Sequence, residues 1–342
     1  MPYEPTERLP IGTTGLTVTR LGLGGASIGG LYREVTDADA AALVRHAWRT
    51  GVRYFDTAPL YGYGTSERRM GRVLAGEPRD AFVLSTKVGR LVREAELVAA
   101  DADLDRQDLD GRENAYYRGV ETRRMVFDYS ARGVTSSIEE SLDRLGLERI
   151  DIAYIHDPDR HWQAAIEDAY PALERLRSEG RLRAIGVGMN QARMLARFAR
   201  DGDFDVLLVA NRYTLLDQAG LDELLPICER RGISVAIGGV MNSGILADPS
   251  STAHFDYRPA PTAMVERARR LADICSRHGV PLRTAAIQFP LAHPAVVSVV
   301  AGVRSTAHLD EYPAAMRAPI PADLWAELRS EGLLHPAAPT PA

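Results

Sequence analysis

Residues 53–62 read Arg53-Tyr54-Phe55-Asp56-Thr57-Ala58-Pro59-Leu60-Tyr61-Gly62. A short apolar run ends in a carboxylate, and the loop behind it carries a tyrosine five positions on. Reactive groups are commonly held this way, at the end of a rigid strand. Val52 to Asp56 has strand character. Ser66 to Leu74 has helical spacing, with Glu67 near the positive N-terminal end of the helix. The stretch is therefore one strand, loop and helix unit, and the same unit recurs along the chain.

Toward the N-terminus, Leu21-Gly22-Leu23-Gly24 is a compact strand, followed by helical periodicity from Asp37 to Thr50 that stops at Gly51. Before it, Leu9-Pro10-Ile11-Gly12 and Leu16-Thr17-Val18 flank Thr13-Thr14-Gly15, as in a short hairpin. Toward the C-terminus, strands are expected at 82–87, 150–156, 184–188, 206–210, 233–237 and 296–300. Between and after them, helices are expected at 134–145, 162–179, 191–200, 220–231, 263–278, 282–292 and 306–316. The strands are apolar on both faces and rich in β-branched residues, as parallel strands covered by helices are. Eight such units without a linker imply an α/β fold, a single (β/α)8 TIM barrel over residues 1–342. An open doubly wound sheet fits less well, because Gly22-Leu23-Gly24-Gly25-Ala26-Ser27 lacks the third glycine of G-x-G-x-x-G.

Two segments break the rhythm. Residues 90–132 are polar, charged and too long for an ordinary connection. On a barrel they overhang the active-site mouth, either as a solvated loop or as a lid carrying Tyr116, Tyr117 or Tyr129. Residues 319–342 hold one extra helix, Asp323 to Leu334, and a Pro/Ala-rich tail expected to be mobile.

Composition narrows the function. Hydrophobic residues make up 45% of the 342, charged residues 25%, and the net charge is −5. That balance suits a globular protein and offers no basic surface for nucleic acid or anionic membranes. No apolar run spans a bilayer, and the start lacks the pattern of a signal peptide. Cys228 and Cys275 sit in helical stretches and read as reduced thiols, so the expected location is cytoplasmic. The histidines show no metal-ligand spacing, so no metal is expected.

On a barrel, polar residues at the C-terminal strand ends converge on one face. Strand two ends in Asp56, strand three in Lys87 and strand four in His156, and Tyr61 follows strand two. A lysine ammonium beside a phenol stabilises the phenolate, a carboxylate holds the ammonium, and an imidazole hydrogen-bonds a substrate oxygen. Such a group moves a proton to or from a carbonyl or alcohol oxygen and leaves hydride movement to a cofactor. Singly, these residues also read as an ion pair, a packed tyrosine and a loop histidine. Four at adjacent strand ends form a constellation.

The motifs Phe55-Asp56-Thr57-Ala58-Pro59-Leu60-Tyr61-Gly62, Ser85-Thr86-Lys87 and Tyr154-Ile155-His156 resemble the aldo-keto reductase superfamily over about residues 8–317. The resemblance implies a metal-free NAD(H) or NADP(H) enzyme, with Tyr61 as acid/base, Asp56 and Lys87 tuning it, and His156 orienting substrate. Val187-Gly188-Met189-Asn190, the run from Asn211 to Gln218, and the run from Gly238 to Leu246 resemble the branch of D-threo-aldose 1-dehydrogenases (L-fucose dehydrogenases) and pyridoxal 4-dehydrogenases. That branch implies NAD and oxidation of a sugar C1 hydroxyl to a lactone. By the same resemblance, Asn190 and Asn211 hold the nicotinamide amide, and Gly238 and Gly239 lie beside the ring with no aromatic supplied for stacking. Asn242, Ser243, Gly244, Gly302, Arg304 and Ser305 serve the phosphates, and His308 and Glu311 the adenosine. Arg304 reads equally as a ligand of a 2′-phosphate or of the pyrophosphate.

Gly24 and Gly25 complete the cofactor set, and Ser27, Ile28, Tyr32 and Tyr129 are the expected substrate lining. The expected partner is a small sugar or aldehyde. The other readings are an NADPH-dependent aldehyde or ketone reductase and a non-enzymatic regulatory subunit on the same fold.

Overall fold

The computed structural model describes residues 2–105, 117, 122–250, 252–256 and 258–341. The antiparallel hairpin β1 (Arg8–Pro10) and β2 (Thr17–Thr19) comes first. Next are β3 (Leu21–Gly24), α1 (Asp37–Arg49), β4 (Tyr54–Asp56), α2 (Thr65–Leu74) and β5 (Val83–Val88). The ribbon β6 (Arg90–Glu94) and β7 (Arg123–Phe127) precedes α3 (Ala131–Leu145) and β8 (Ile152–His156). The single turn α4 (Trp162–Ala164) runs through a π-helical turn (Ala165–Ala169) into α5 (Tyr170–Ser178). There Pro171 has no N–H to give the helical ladder. Then come β9 (Ala184–Met189), α6 (Ala192–Asp201), β10 (Val206–Ala210), α7 (Leu224–Arg231) and β11 (Ser234–Gly238). The chain ends with the short ribbon β12 (His254–Phe255) and β13 (Arg258–Pro259), α8 (Thr262–Arg277), α9 (Leu282–Gln288), β14 (Val296–Ala301), α10 (Thr306–Arg317) and α11 (Ala322–Ser330).

Strands β3, β4, β5, β8, β9, β10, β11 and β14 pair in parallel, and β14 returns to β3 to close a barrel. Alternation along each strand makes two cores. Outward side chains such as Leu23, Phe55, Leu84, Ile155 and Val187 pack under the helices. Inward ones, among them Tyr54, Ile152, Tyr154 and Val206, fill the barrel with Ile11, Leu16 and Val18 of the hairpin. The Gly12 amide donates to Ser234 Oγ at 2.9 Å, at the start of β11, so the hairpin plugs the N-terminal mouth. Functional groups are left the C-terminal mouth.

The register explains which groups meet there. Asp56 pairs with Ser85, Lys87 with Tyr154, and His156 with Gly188. Paired residues face the same side, and steps of two keep that side. Asp56, Ser85, Lys87, Tyr154 and His156 therefore all project into the barrel, each climbing one step up its stagger.

Two expectations change. Residues 90–132 begin and end as a β-ribbon rather than as loop, anchored by buried Leu91 and Met125, and α3 starts at Ala131. There Ser130 accepts from the Gly133 amide at 3.0 Å as N-cap. The C-terminal tail is docked rather than mobile. Leu333, Leu334 and Ala338 are buried, and the Leu333 carbonyl accepts from Gln218 Nε2 at 3.1 Å and from Arg267 Nη2 at 2.7 Å. Two leucines supply the apolar anchor that the Pro/Ala-rich composition obscured. Among the described residues no helix is long and apolar enough to cross a membrane.

Candidate active site

Lys87 Nζ, buried at the end of β5, donates to Asp56 Oδ2 at 2.7 Å and to the Thr57 carbonyl at 2.9 Å. It lies 4.7 Å from the centroid of the Tyr61 ring. His156 meets that ring edge-on at 5.8 Å, and Tyr117, from the segment after β6, lies at 6.4 Å. The four residues expected from the strand ends thus stand in one cluster, with part of the 90–132 segment above it. The Tyr61 loop is fixed backbone to backbone. Gly62 has φ 61°, and a Cβ there would stand 2.1 Å from the Gly29 carbonyl oxygen.

The groups behind the cluster set its charge. Ser85 Oγ donates to Asp56 Oδ1 at 2.7 Å, and the Tyr54 and Tyr154 hydroxyls bond each other at 3.0 Å beneath. Burial raises both of these phenols, which stay neutral beside Lys87. His156 is pushed well below the usual histidine range, first by burial and then by the charges of Arg90 and Lys87. At neutral pH it is an uncharged imidazole able to donate one hydrogen bond. Its Nδ1 is buried without a partner.

Asp56 and Tyr61 form one wall of a cleft of about 490 Å³ that continues past the ends of β10, β11 and β14. That volume is in the range of ligand pockets. Of the residues expected to bind cofactor or substrate, Gly24, Ser27, Tyr32, Asn211, Gly238, Gly239, Ser243, Gly244, Gly302, Arg304, His308 and Glu311 line it. Lys87 and His156 are buried behind that lining. Asn190 accepts from Asn211 Nδ2 at 3.2 Å, and Asn242 donates to the Asn211 carbonyl at 3.0 Å, so both hold Asn211. Asn211 Oδ1 is left buried and unpartnered, an acceptor of the kind a nicotinamide carboxamide N–H satisfies. Gly239 has φ 60°, and a Cβ there would stand 2.4 Å from this same Oδ1. These residues fit a nicotinamide cofactor. The cleft wall also includes Leu208, Ala210, Gly238 and Val300, and β11 contributes no aromatic to it.

Other expected residues lie elsewhere. Ile28, in the turn Ser27–Gly29, points into the outer core, and its carbonyl accepts from Arg69 Nη1 at 2.6 Å. Tyr129 is buried behind His156 and donates to the carbonyls of His156 at 2.7 Å and Asp157 at 3.2 Å. It braces the histidine and does not line the cleft. Gly25 makes room for Ser66 Oγ, and Ser305 caps α10 by accepting from the His308 amide at 3.2 Å. Tyr116 lies outside the described residues. Sequence reasoning missed Arg283 and Tyr312, which line the cleft from α9 and α10. Arg283 is ion-paired with Glu311. Helix residues carry no strand-end signal, and these gave none. Among the described residues no group of three His, Cys, Asp or Glu is placed to hold a metal ion.

The profile of the Aldo/keto reductase family matches residues 20–331. The chain is 42% identical to a pyridoxal 4-dehydrogenase of Microbacterium luteolum, over 98% of this chain and 100% of that protein. It is also 42% identical to a D-threo-aldose 1-dehydrogenase of Pseudomonas sp, over 96% and 97%. The solved aldo-keto reductase AKR11C1 from Bacillus halodurans, in its holo form, has the same fold, with a TM-score of 0.72 at 24% identity and 97% of each chain covered. A barrel whose open mouth gathers these groups, and a match of this length, lead to one conclusion: the chain belongs to the aldo/keto reductase family, and it is an oxidoreductase that uses NAD(P).

Proposed function

We propose that the protein is an NAD-dependent aldose 1-dehydrogenase that oxidises the C1 hydroxyl of an L-fucose or D-threo type sugar to a lactone. The observation that carries this reading is the Lys87 ammonium, held by Asp56 and the Thr57 carbonyl 4.7 Å from the centre of the Tyr61 ring, at one end of the cleft. A fixed cation there stabilises negative charge on the phenol oxygen, which suits Tyr61 to take the hydroxyl proton in oxidation and return it in reduction. Neutral His156 donates a hydrogen bond to the same substrate oxygen and orients it. The bound nicotinamide supplies the hydride chemistry. Asn211, with Asn190 and Asn242 behind it, would hold the carboxamide, and residues at the ends of β11 and β14 and the start of α10 would hold the phosphates and adenosine. Identity to the D-threo-aldose 1-dehydrogenase supports a sugar substrate, and two buried free thiols, Cys228 and Cys275, suit a reducing cytoplasm.

The equal identity to the pyridoxal 4-dehydrogenase supports a second reading, oxidation of pyridoxal. A third, reduction of aldehydes or ketones with NADPH, uses the same site in reverse. A panel of aldoses, pyridoxal and aryl aldehydes, each with NAD(H) and NADP(H), separates the three. The highest kcat/KM is expected for an L-fucose type sugar with NAD. Turnover of pyridoxal or aryl aldehydes with no oxidation of any aldose would overturn the assignment.

A further inference from the structure

Arg90 stands three residues beyond Lys87, at the start of β6, with a side chain 2% exposed. Its Nη1 donates to Asp105 Oδ2 at 2.6 Å and its Nη2 to Asp157 Oδ2 at 3.1 Å. The Phe127 ring centroid lies 5.1 Å from the guanidinium carbon. The cation is thus enclosed between two carboxylates and an aromatic face. Asp157 directly follows His156, and its Oδ2 is also 3.5 Å from His156 Nε2. The Asp157 backbone is left-handed, with φ 40°, and its amide donates to the Gly188 carbonyl at 3.0 Å. A non-glycine residue keeps that conformation only where its surroundings over-determine it. Here the guanidinium on its carboxylate and the Tyr129 hydroxyl on its carbonyl do so.

We infer that Arg90 is a positioning residue for His156: its fork grips Asp157 and Asp105 together, and through Asp157 it sets the direction of the imidazole and its proton. The inference rests on the reading of His156 as the group that orients substrate. A planar fork can hold two carboxylates in one geometry, which a lysine ammonium cannot. The arrangement ties the first residue of the 90–132 segment, and Asp105 within it, to the catalytic strand end.

The charged and titratable groups facing the imidazole are Lys87 from β5, Arg90 from β6, Asp157 next to it in the chain and Tyr61 from the loop after β4, with Asp105 behind Arg90. Arg90 opposes proton binding both by His156 and by Asp157, whose carboxyl burial pushes up to about 6 against the pull of Arg90. Removing the guanidinium lets this pair take up a proton at higher pH, whichever of the two receives it. Either outcome changes the ring-nitrogen signals of His156.

The test follows those signals in the 15N-histidine NMR spectrum of Arg90→Met, Arg90→Lys and the wild-type enzyme across pH, with assignment through His156→Gln. In Arg90→Met the midpoint should rise by about one pH unit or more. At neutral pH kcat/KM for the sugar should fall about tenfold, with cofactor Kd unchanged. Arg90→Lys, which keeps the charge, should recover much of the midpoint shift and less of kcat/KM. A folded Arg90→Met with the wild-type midpoint and kcat/KM overturns the inference. Should Arg90→Met fail to fold, Asp157→Asn decides, because the unneutralised guanidinium then faces the ring and must lower the midpoint. An unchanged midpoint in Asp157→Asn is equally fatal. The NMR midpoint needs no turnover, so failure of the His156 reading would show separately, as wild-type kcat/KM in His156→Gln.

Discussion

Replacing Lys87 by Met removes the cation from the Tyr61 ring at nearly constant volume. At 4.7 Å from the ring centroid, a unit charge acting on a developing phenolate is worth about 3.5 kcal/mol at an effective dielectric constant of about 20. At about 1.36 kcal/mol per factor of ten, kcat should fall roughly 400-fold. The variant also strands the buried Asp56 carboxylate, which keeps the Ser85 hydroxyl as a side-chain partner. Breaking a buried pair from one side costs about 3–5 kcal/mol of stability. Lys87→Met with Asp56→Asn removes the stranded charge, so its thermal midpoint should recover while kcat stays low. The assay is steady-state NADH formation on the best aldose, with melting curves on both variants. A folded single or double variant with kcat within threefold of wild type would refute the electrostatic role given to Lys87.

Asn211→Ala should weaken cofactor binding by about 2 kcal/mol, roughly thirtyfold in Kd, because it removes a buried acceptor and the partner of Asn190; titration calorimetry with NAD reads it. Gly62→Ala puts a Cβ into the Gly29 carbonyl at positive φ and should cost about 1–3 kcal/mol, seen as a lowered melting temperature together with lost turnover as the Tyr61 loop shifts. Stability should also depend on His156. Its folded pKa lies below the unfolded value of about 6.5, so the unfolded chain binds more protons in acid and stability is lost as pH falls through that value. Asp157, raised to about 6, works in the opposite sense, so the measurement is a difference: between pH 7.5 and 5.5, urea unfolding should cost wild type about 1.4 kcal/mol more than His156→Gln.

The barrel and the heart of its site were legible for a shared reason. Asp56, Lys87 and His156 each stand at the end of a short, mostly apolar strand, and the two-residue alternation carries such strand-end groups inward together. Asn211 and the glycines after β11 were expected from the resemblance alone, and they border the cleft. The ribbon was obscured because Arg90–Glu94 and Arg123–Phe127 are short, mix charges with apolar residues, and pair across an intervening stretch of chain. Arg90 itself looked like surface charge, since its carboxylate partners come from Asp105 and Asp157, far apart in sequence. Ile28 and Tyr129 were misjudged because they sit in loops, where no period says which way a side chain points. Asp157 offered only an Asp-Pro-Asp turn, with no hint of the grip upon it.

The central claim is that Tyr61 carries the proton. Tyr61→Phe deletes one oxygen and leaves the ring beside Lys87 and His156, so NAD binding followed by calorimetry should match wild type while turnover of the best aldose disappears. Wild-type kcat in a folded Tyr61→Phe enzyme would contradict the account.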